Sequence, residues 1–231
     1  ASPASSKVIL IVDKGYLMRH AVPVYSEDGT TEIYRKVVIP KSSKFRMGSR
    51  TFGLYYPIVI KVSNNTGMFT VEYDTTENNP LHVLNENVLD HKFFRNDGTV
   101  LAYITIPVYQ FDTVVVEEPL VAGTGFKKSI SFTDQFYAVK CFADVRKTVV
   151  DADGNETDEW VNQELSLSLS GRSYDSATPT VVFDVDPDSK TLNLSIPYVY
   201  FTNNQIRGRL KVELYTTAGY LNYNIPTNTE E

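Results

Sequence analysis

The sequence predicts a mainly β protein built from two small, β-rich, sandwich-like domains with one short helix. Three observations carry that expectation. Apolar and polar residues alternate at period two in several runs, the pattern of half-buried strands. Leu192, Leu194 and Ile196 alternate with Thr191, Asn193 and Ser195, and Leu210, Val212 and Leu214 alternate with Arg209, Lys211 and Glu213. The chain holds 15 Tyr and 12 Phe beside a single Trp, and aromatic side chains suit a pleated surface. Finally, Asp-Gly, Asn-Asp-Gly and Ala-Gly steps separate the runs, as tight turns require.

At 231 residues the chain can bury a substantial core as one large β domain or two small ones. Glu117-Glu118-Pro119 followed by Gly123-Thr124-Gly125 is the best boundary, giving an N-terminal domain over 1–118 and a C-terminal domain over 119–231.

Taken in order, Lys7 to Val12 reads as a short buried strand and Arg35 to Pro40 as a second, after the Glu27-Asp28-Gly29-Thr30 turn. Asn64 to Gly67 reads as a turn into MFTVEYDT. The helix is expected after Asn79, a good N-cap, with Pro80 at its first position and Leu81, Leu84 and Val88 at helical spacing. Asn96-Asp97-Gly98 signals a hairpin, and Pro107 between two apolar runs suggests a bend or an edge.

In the second half, Gln135 to Val150 reads as a long strand. Leu165, Leu167 and Leu169 alternate with serines, and Thr180 to Val185 forms another strand. Lys190 to Ile225 reads as a hairpin-like pair of strands around Asn203-Asn204, ending at Ala218-Gly219. A one-residue slip in either strand would turn its apolar face to water, so the register is well specified.

Composition narrows the function classes. The net charge is −6, with 12 basic and 13 acidic residues up to Glu118 and 10 and 15 beyond it, which argues against general nucleic-acid binding. The one cysteine, Cys141, allows no internal disulfide and no cysteine-based zinc site, and reads as a buried thiol. No apolar run approaches the length that crosses a bilayer. No signal peptide is read in the first residues, and the start at Ala1 rather than Met suggests a processed product or a fragment.

Motifs for chemistry are sparse. His20, His82 and His91 form no metal-binding pair, and no nucleophile elbow accompanies them. His82 and His91 read as surface or helix-end residues. Asp151, Asp153 and Asn155 match the first, third and fifth positions of a calcium loop, but Glu156 stands where glycine is needed and Asn162 where glutamate is needed, so a turn is the better reading. Gly123 to Lys128 lacks phosphate-loop spacing and reads as a hinge or hairpin loop. The run from Arg35 to Arg50 holds six basic residues and no acid; it reads as a solvated face or a dock for an acidic neighbour. No catalytic residue, metal ligand or cofactor site is assigned.

Candidate interface residues are Arg46, Arg50, Tyr55, Tyr56, Tyr198, Tyr200, Arg207, Arg209, Tyr220 and Tyr223. Tyr and Arg are enriched in protein interfaces, and the alternative for the tyrosines is that they cover strands.

Two stretches carry a family resemblance. Ile206 to Asn222 reads I-x-G-x-L-K-V-E-L-Y-T-T-A-G-Y-L-N, and Ile39 to Phe45 reads I-P-K-S-S-K-F. The first resembles the strand and turn that close the core domain of J-like baseplate wedge proteins of contractile-tailed bacteriophages. It departs from them at Tyr220-Leu221-Asn222, with Leu221 where the family has a glycine before the asparagine. The second is similar to the family's I-P-x-G-T-x-F entry, with Ser42 where glycine is usual. The order of elements from about Phe132 to Asn222, through Trp160 and Leu165, looks like the family's central β-rich portion.

The resemblance implies a non-enzymatic structural virion protein of the tail baseplate, assembled in the host cytoplasm. Its partners would be other baseplate or tail subunits and copies of itself, with no nucleic acid, membrane, small-molecule substrate or cofactor. The alternative is a carbohydrate- or receptor-binding β-sandwich of adhesin or tail-tip type. A hydrolase on a β scaffold would need a cleft joining His82 or His91 to carboxylates.

Overall fold

The computed structural model describes residues 2–63, 68–76, 81–82, 84, 86–150, 152, 154–170 and 174–219. The chain is mainly β and divides into two compact units between Gln110 and Phe111.

The first unit contains Ser5–Asp13 (β1), Lys14–His20 (α1), Val22–Tyr25 (β2), Glu32–Ile39 (β3), Lys44–Met47 (β4), Arg50–Gly53 (β5), Ile58–Ser63 (β6), Phe69–Tyr73 (β7), His91–Asn96 (β8) and Thr99–Tyr109 (β9). One sheet runs β1-β9-β5-β4, with β8 also on β9; the other runs β2-β3-β6-β7. The β8–β9 hairpin turns at Asp97 (φ 45°) and Gly98 (φ 83°), the two positive φ angles that a two-residue Asp-Gly turn uses. Helix α1 starts where the Asp13 carboxylate accepts the Tyr16 N–H at 2.6 Å, the usual N-cap bond.

The second unit contains Asp112–Pro119 (β10), Phe126–Ser131 (β11), Gln135–Val150 (β12), Glu156–Glu164 (β13), Ser166–Leu169 (β14), Thr180–Asp186 (β15), Thr191–Ile196 (β16), Tyr198–Thr202 (α2) and Ile206–Thr217 (β17). Its two four-stranded sheets run β10-β17-β12-β13 and β11-β16-β15-β14. Their inner faces share one core: Val139, Cys141, Ala143 and Val145 of β12 and Leu210, Val212 and Leu214 of β17 meet Leu192, Leu194 and Ile196 of β16. The division precedes Pro119 because β10 pairs with β17 along its whole length, from Asp112↔Thr216 to Pro119↔Arg209.

Four expectations need correction. No described residue of 81–90 is helical: Leu81 lies in a turn, and Val88, 62% exposed, forms a lone bridge to Glu72. Asn79 and Pro80 lie outside the described residues. Among the described residues the helices are α1 and α2 instead, both too short to show a periodic stripe. The Lys190–Ile225 stretch is not a hairpin, since α2 carries the chain from β16 in one sheet to β17 in the other. Pro197 stops β16 and Tyr200, fully buried, pins the crossover.

Pro107 makes no bend in its strand, and the edge half of that expectation holds locally, on the side of β9 away from β1. It pairs with Lys7 within a continuous β9, on whose other side β8 reaches only to Ile104 and β5 only to Tyr109, so the missing N–H costs no ladder bond. Lastly, Lys7 to Val12 is an edge strand, not a buried one. Ile9 is 61% and Ile11 54% exposed, while Val8, Leu10 and Val12 are half-buried.

Cys141 is fully buried in the second unit, and desolvation, with Glu164 second, pushes its thiol up to about 12 from 9.0. The thiolate is the reactive form, so the native protein is expected to resist a thiol-specific reagent at pH 8 and to label once unfolded in urea. Rapid native labelling would refute the burial. Because the folded value is raised, the stability linked to this thiol is complete below about pH 9 and is lost as pH rises toward 12.

Candidate functional site

The sequence-predicted residues separate into buried and exposed sets. Tyr55 and Tyr56 follow β5 in the link to β6 and are only 5% and 6% exposed. The Tyr55 ring stacks on His82 at 4.7 Å and 15°. Tyr56 donates its hydroxyl to the His82 carbonyl at 2.6 Å, and the Tyr109 hydroxyl lies 2.8 Å from His82 Nε2. Burial lowers the His82 pKa, which keeps the ring neutral near pH 7, and its Nδ1 is buried without a partner among the described residues. Three tyrosine rings, Tyr55, Tyr56 and Tyr109, surround this imidazole, so its evident work is to anchor His82 against them. His91 is similarly tied to backbone, at 3.0 Å from the Leu89 carbonyl and 3.2 Å from that of Phe69. Neither is the helix-flanking residue that the sequence suggested.

Tyr200 is also interior, with its hydroxyl donating to the Asp175 carbonyl. These three tyrosines therefore cover strands, as the alternative reading had it. Tyr220 and Tyr223 lie outside the described residues. On the surface stand Tyr198, 54% exposed, and the arginines. Arg46 is exposed on β4 and Arg50 half-buried on β5. Arg207 lies over the Trp160 ring at 4.1 Å, a cation–π contact. Arg209 pairs with Glu117 at 3.5 Å across the β10–β17 ladder; both side chains are exposed, so the pair contributes little stability.

Two further surface features were not assigned from sequence. A groove of about 740 Å³ is lined by Phe126, Lys127, Tyr174, Val182, Pro197 and Tyr198 among others, and Tyr174 is 46% exposed. The second is apolar surface left on strands in each unit by itself. On the outward face of the first sheet, Ile9 and Ile11 lie opposite Thr105 and Tyr103, and Tyr103 meets Phe94 edge-to-face at 4.8 Å. On the β10 edge, Val114 and Val115 are 41% and 53% exposed. The clue in the sequence is that KVILIV is apolar at both parities, so alternation could not say which set faces water.

Among the described residues no group of three or more His, Cys, Asp or Glu is gathered as a metal site. Asp151 and Asp153 of the calcium-loop reading lie outside them. No family model, curated protein or solved structure matches the chain.

Proposed function

We propose that this chain is a non-enzymatic structural virion protein, a subunit of a contractile-tail baseplate wedge that holds its neighbours through β-rich surfaces. The observation that carries the assembly role is the apolar side chains left on strands, Ile9, Ile11 and Phe94 in one unit and Val114 and Val115 in the other. Apolar residues grouped on exposed sheet surfaces and edges are the mark of surfaces that another chain covers. The baseplate context comes from the resemblance of Ile206–Asn222 and Ile39–Phe45. In this reading the protein resides in the tail baseplate, assembles in the host cytoplasm, and contacts other tail subunits and copies of itself. It calls for no cofactor, substrate, nucleic acid or membrane.

Electron microscopy of the native particle, with the chain located by antibody, tests this reading. A symmetry-repeated position at the baseplate is expected; absence of the chain from any particle would refute it. One observation favours a second reading, a glycan-binding module: Tyr174 and Tyr198 stand exposed in one groove. Glycan-array binding that Tyr198→Ala abolishes would favour that reading, and an empty array would remove it.

A further inference from the structure

The edge strand β1 carries its own complement. Its central run, Lys7-Val8-Ile9-Leu10-Ile11-Val12-Asp13, reads the same in residue character from both ends, except that one end is a cation and the other an anion. We infer that β1 pairs antiparallel with β1 of a second copy of this chain about a two-fold axis, with Lys7 of each opposite Asp13 of the other. The inference stands apart from the baseplate reading, because it concerns which surface self-associates and not which particle contains it.

Two features of the structure leave β1 open to this occupant. Among the described residues β1 is paired on one side only, by β9. The Gln110 N–H donates to the Ala4 carbonyl at 2.8 Å, one step beyond the Ser5↔Tyr109 pair. Backbone groups in an antiparallel ladder alternate between the two sides of a strand. Hence the even-numbered residues of β1 bond to β9, and Ser5, Lys7, Ile9, Ile11 and Asp13 turn their N–H and C=O groups to the unpaired edge. Such a row of groups is a template for another strand.

The side chains then choose the register. With Leu10 on the two-fold axis, Ile9 of one copy lies opposite Ile11 of the other, Val8 opposite Val12, and Lys7 opposite Asp13 at both ends. The Ile9–Ile11 pairs cover the side chains that are 61% and 54% exposed in the single chain. The hydrogen-bonded pairs would be the odd-numbered ones, which are those whose groups are unspent. Centring on Ile9 instead sets Lys7 against Ile11 and Asp13 against Ser5, losing both ion pairs. Parallel in-register pairing sets like charges side by side, which is unfavourable. An isologous two-fold contact is also the commonest way for identical chains to associate.

Sedimentation equilibrium of the full chain tests the pairing. Wild type is expected to show a concentration-dependent dimer. Ile9→Pro removes an outward N–H without touching the β9 ladder and is expected to give monomer. K7D and D13K alone each place like charges opposite one another and are expected to weaken the dimer at least about tenfold, whereas an equimolar mixture restores both ion pairs and should dimerise. Because Asp13 also caps α1, circular dichroism of D13K confirms that it remains folded, and D13S, which keeps a capping oxygen, should weaken the dimer in the same direction. A wild type that stays monomeric, a dimer indifferent to Ile9→Pro and K7D, or a mixture that fails to pair would each overturn the inference.

Discussion

Leu214→Ala is expected to lower the stability of the second unit by about 2–5 kcal/mol. Leu214 is 0% exposed and lies in the middle of β17, flanked by Val114 on β10 and Val139 on β12. Its inner face joins the core shared by both sheets. Truncation removes buried methyl groups and leaves a cavity between two sheets whose ladders hold them in place, so little collapse can offset the loss. Leu167 is the internal control: it lies on β14 but is 37% exposed, and Leu167→Ala should change stability by under about 0.5 kcal/mol. The single Trp, Trp160 on β13, makes fluorescence in a urea titration a report on this unit alone. Equal midpoints for the two variants would refute the assignment of Leu214 to the core.

This contrast also shows what a period-two pattern conveys. Leu192, Leu194, Ile196, Leu210, Val212 and Leu214 alternate cleanly with polar residues, and all are buried. Leu165, Leu167 and Leu169 alternate equally well with serines, yet only Leu165 is buried. The difference is position in the sheet: β17 lies between β10 and β12, whereas β14 is an edge strand paired only to β15. Alternation reports that one face differs from the other, not that a second layer covers it. Sheet membership was less legible still. The tandem strands β16 and β17 look like a hairpin, and only the five-residue helix between them sends them to different sheets.

The candidate surface was legible in part. The arginines and Tyr198 stand where a surface residue should, but Tyr55, Tyr56 and Tyr200 are interior: the hydroxyls of Tyr56 and Tyr200 find backbone carbonyls there, and the Tyr55 ring packs on His82 and Tyr109. A tyrosine that can satisfy its polar tip inside is as useful to a core as to an interface, and sequence does not reveal the carbonyl. The exposed Ile9 and Ile11 were hidden for the opposite reason. An unbroken apolar run looks like a doubly covered strand, whereas this one has a partner on one side and a face open to water.

The second large effect is expected at Gly208, the glycine of the I-x-G-x-L-K stretch. Its φ is +81°, and it sits where the β12–β17 register shifts: between the Phe142↔Lys211 and Asp144↔Arg207 pairs, β17 sets Gly208, Arg209 and Leu210 against Ala143 alone, an enlarged bulge. A Cβ built there would come within 3.0 Å of Asp144 Oδ2. Asp144 is not free to withdraw, because its Oδ1 accepts the Asn162 side-chain amide at 3.0 Å. Gly208→Ala therefore combines left-handed strain with a displaced hydrogen bond, and is expected to cost about 1–3 kcal/mol. Gly123 separates the two contributions: its φ is +84°, but nothing lies within 4 Å of the added carbon, so Gly123→Ala reports strain alone and should cost less. Combining Gly208→Ala with Asp144→Ala should cost less than the sum of the two single changes, since the second removes the atom that the first strikes. If Gly208→Ala matches Gly123→Ala in urea midpoint and the pair is additive, the carboxylate does not limit this position, and the glycine answers to backbone conformation only.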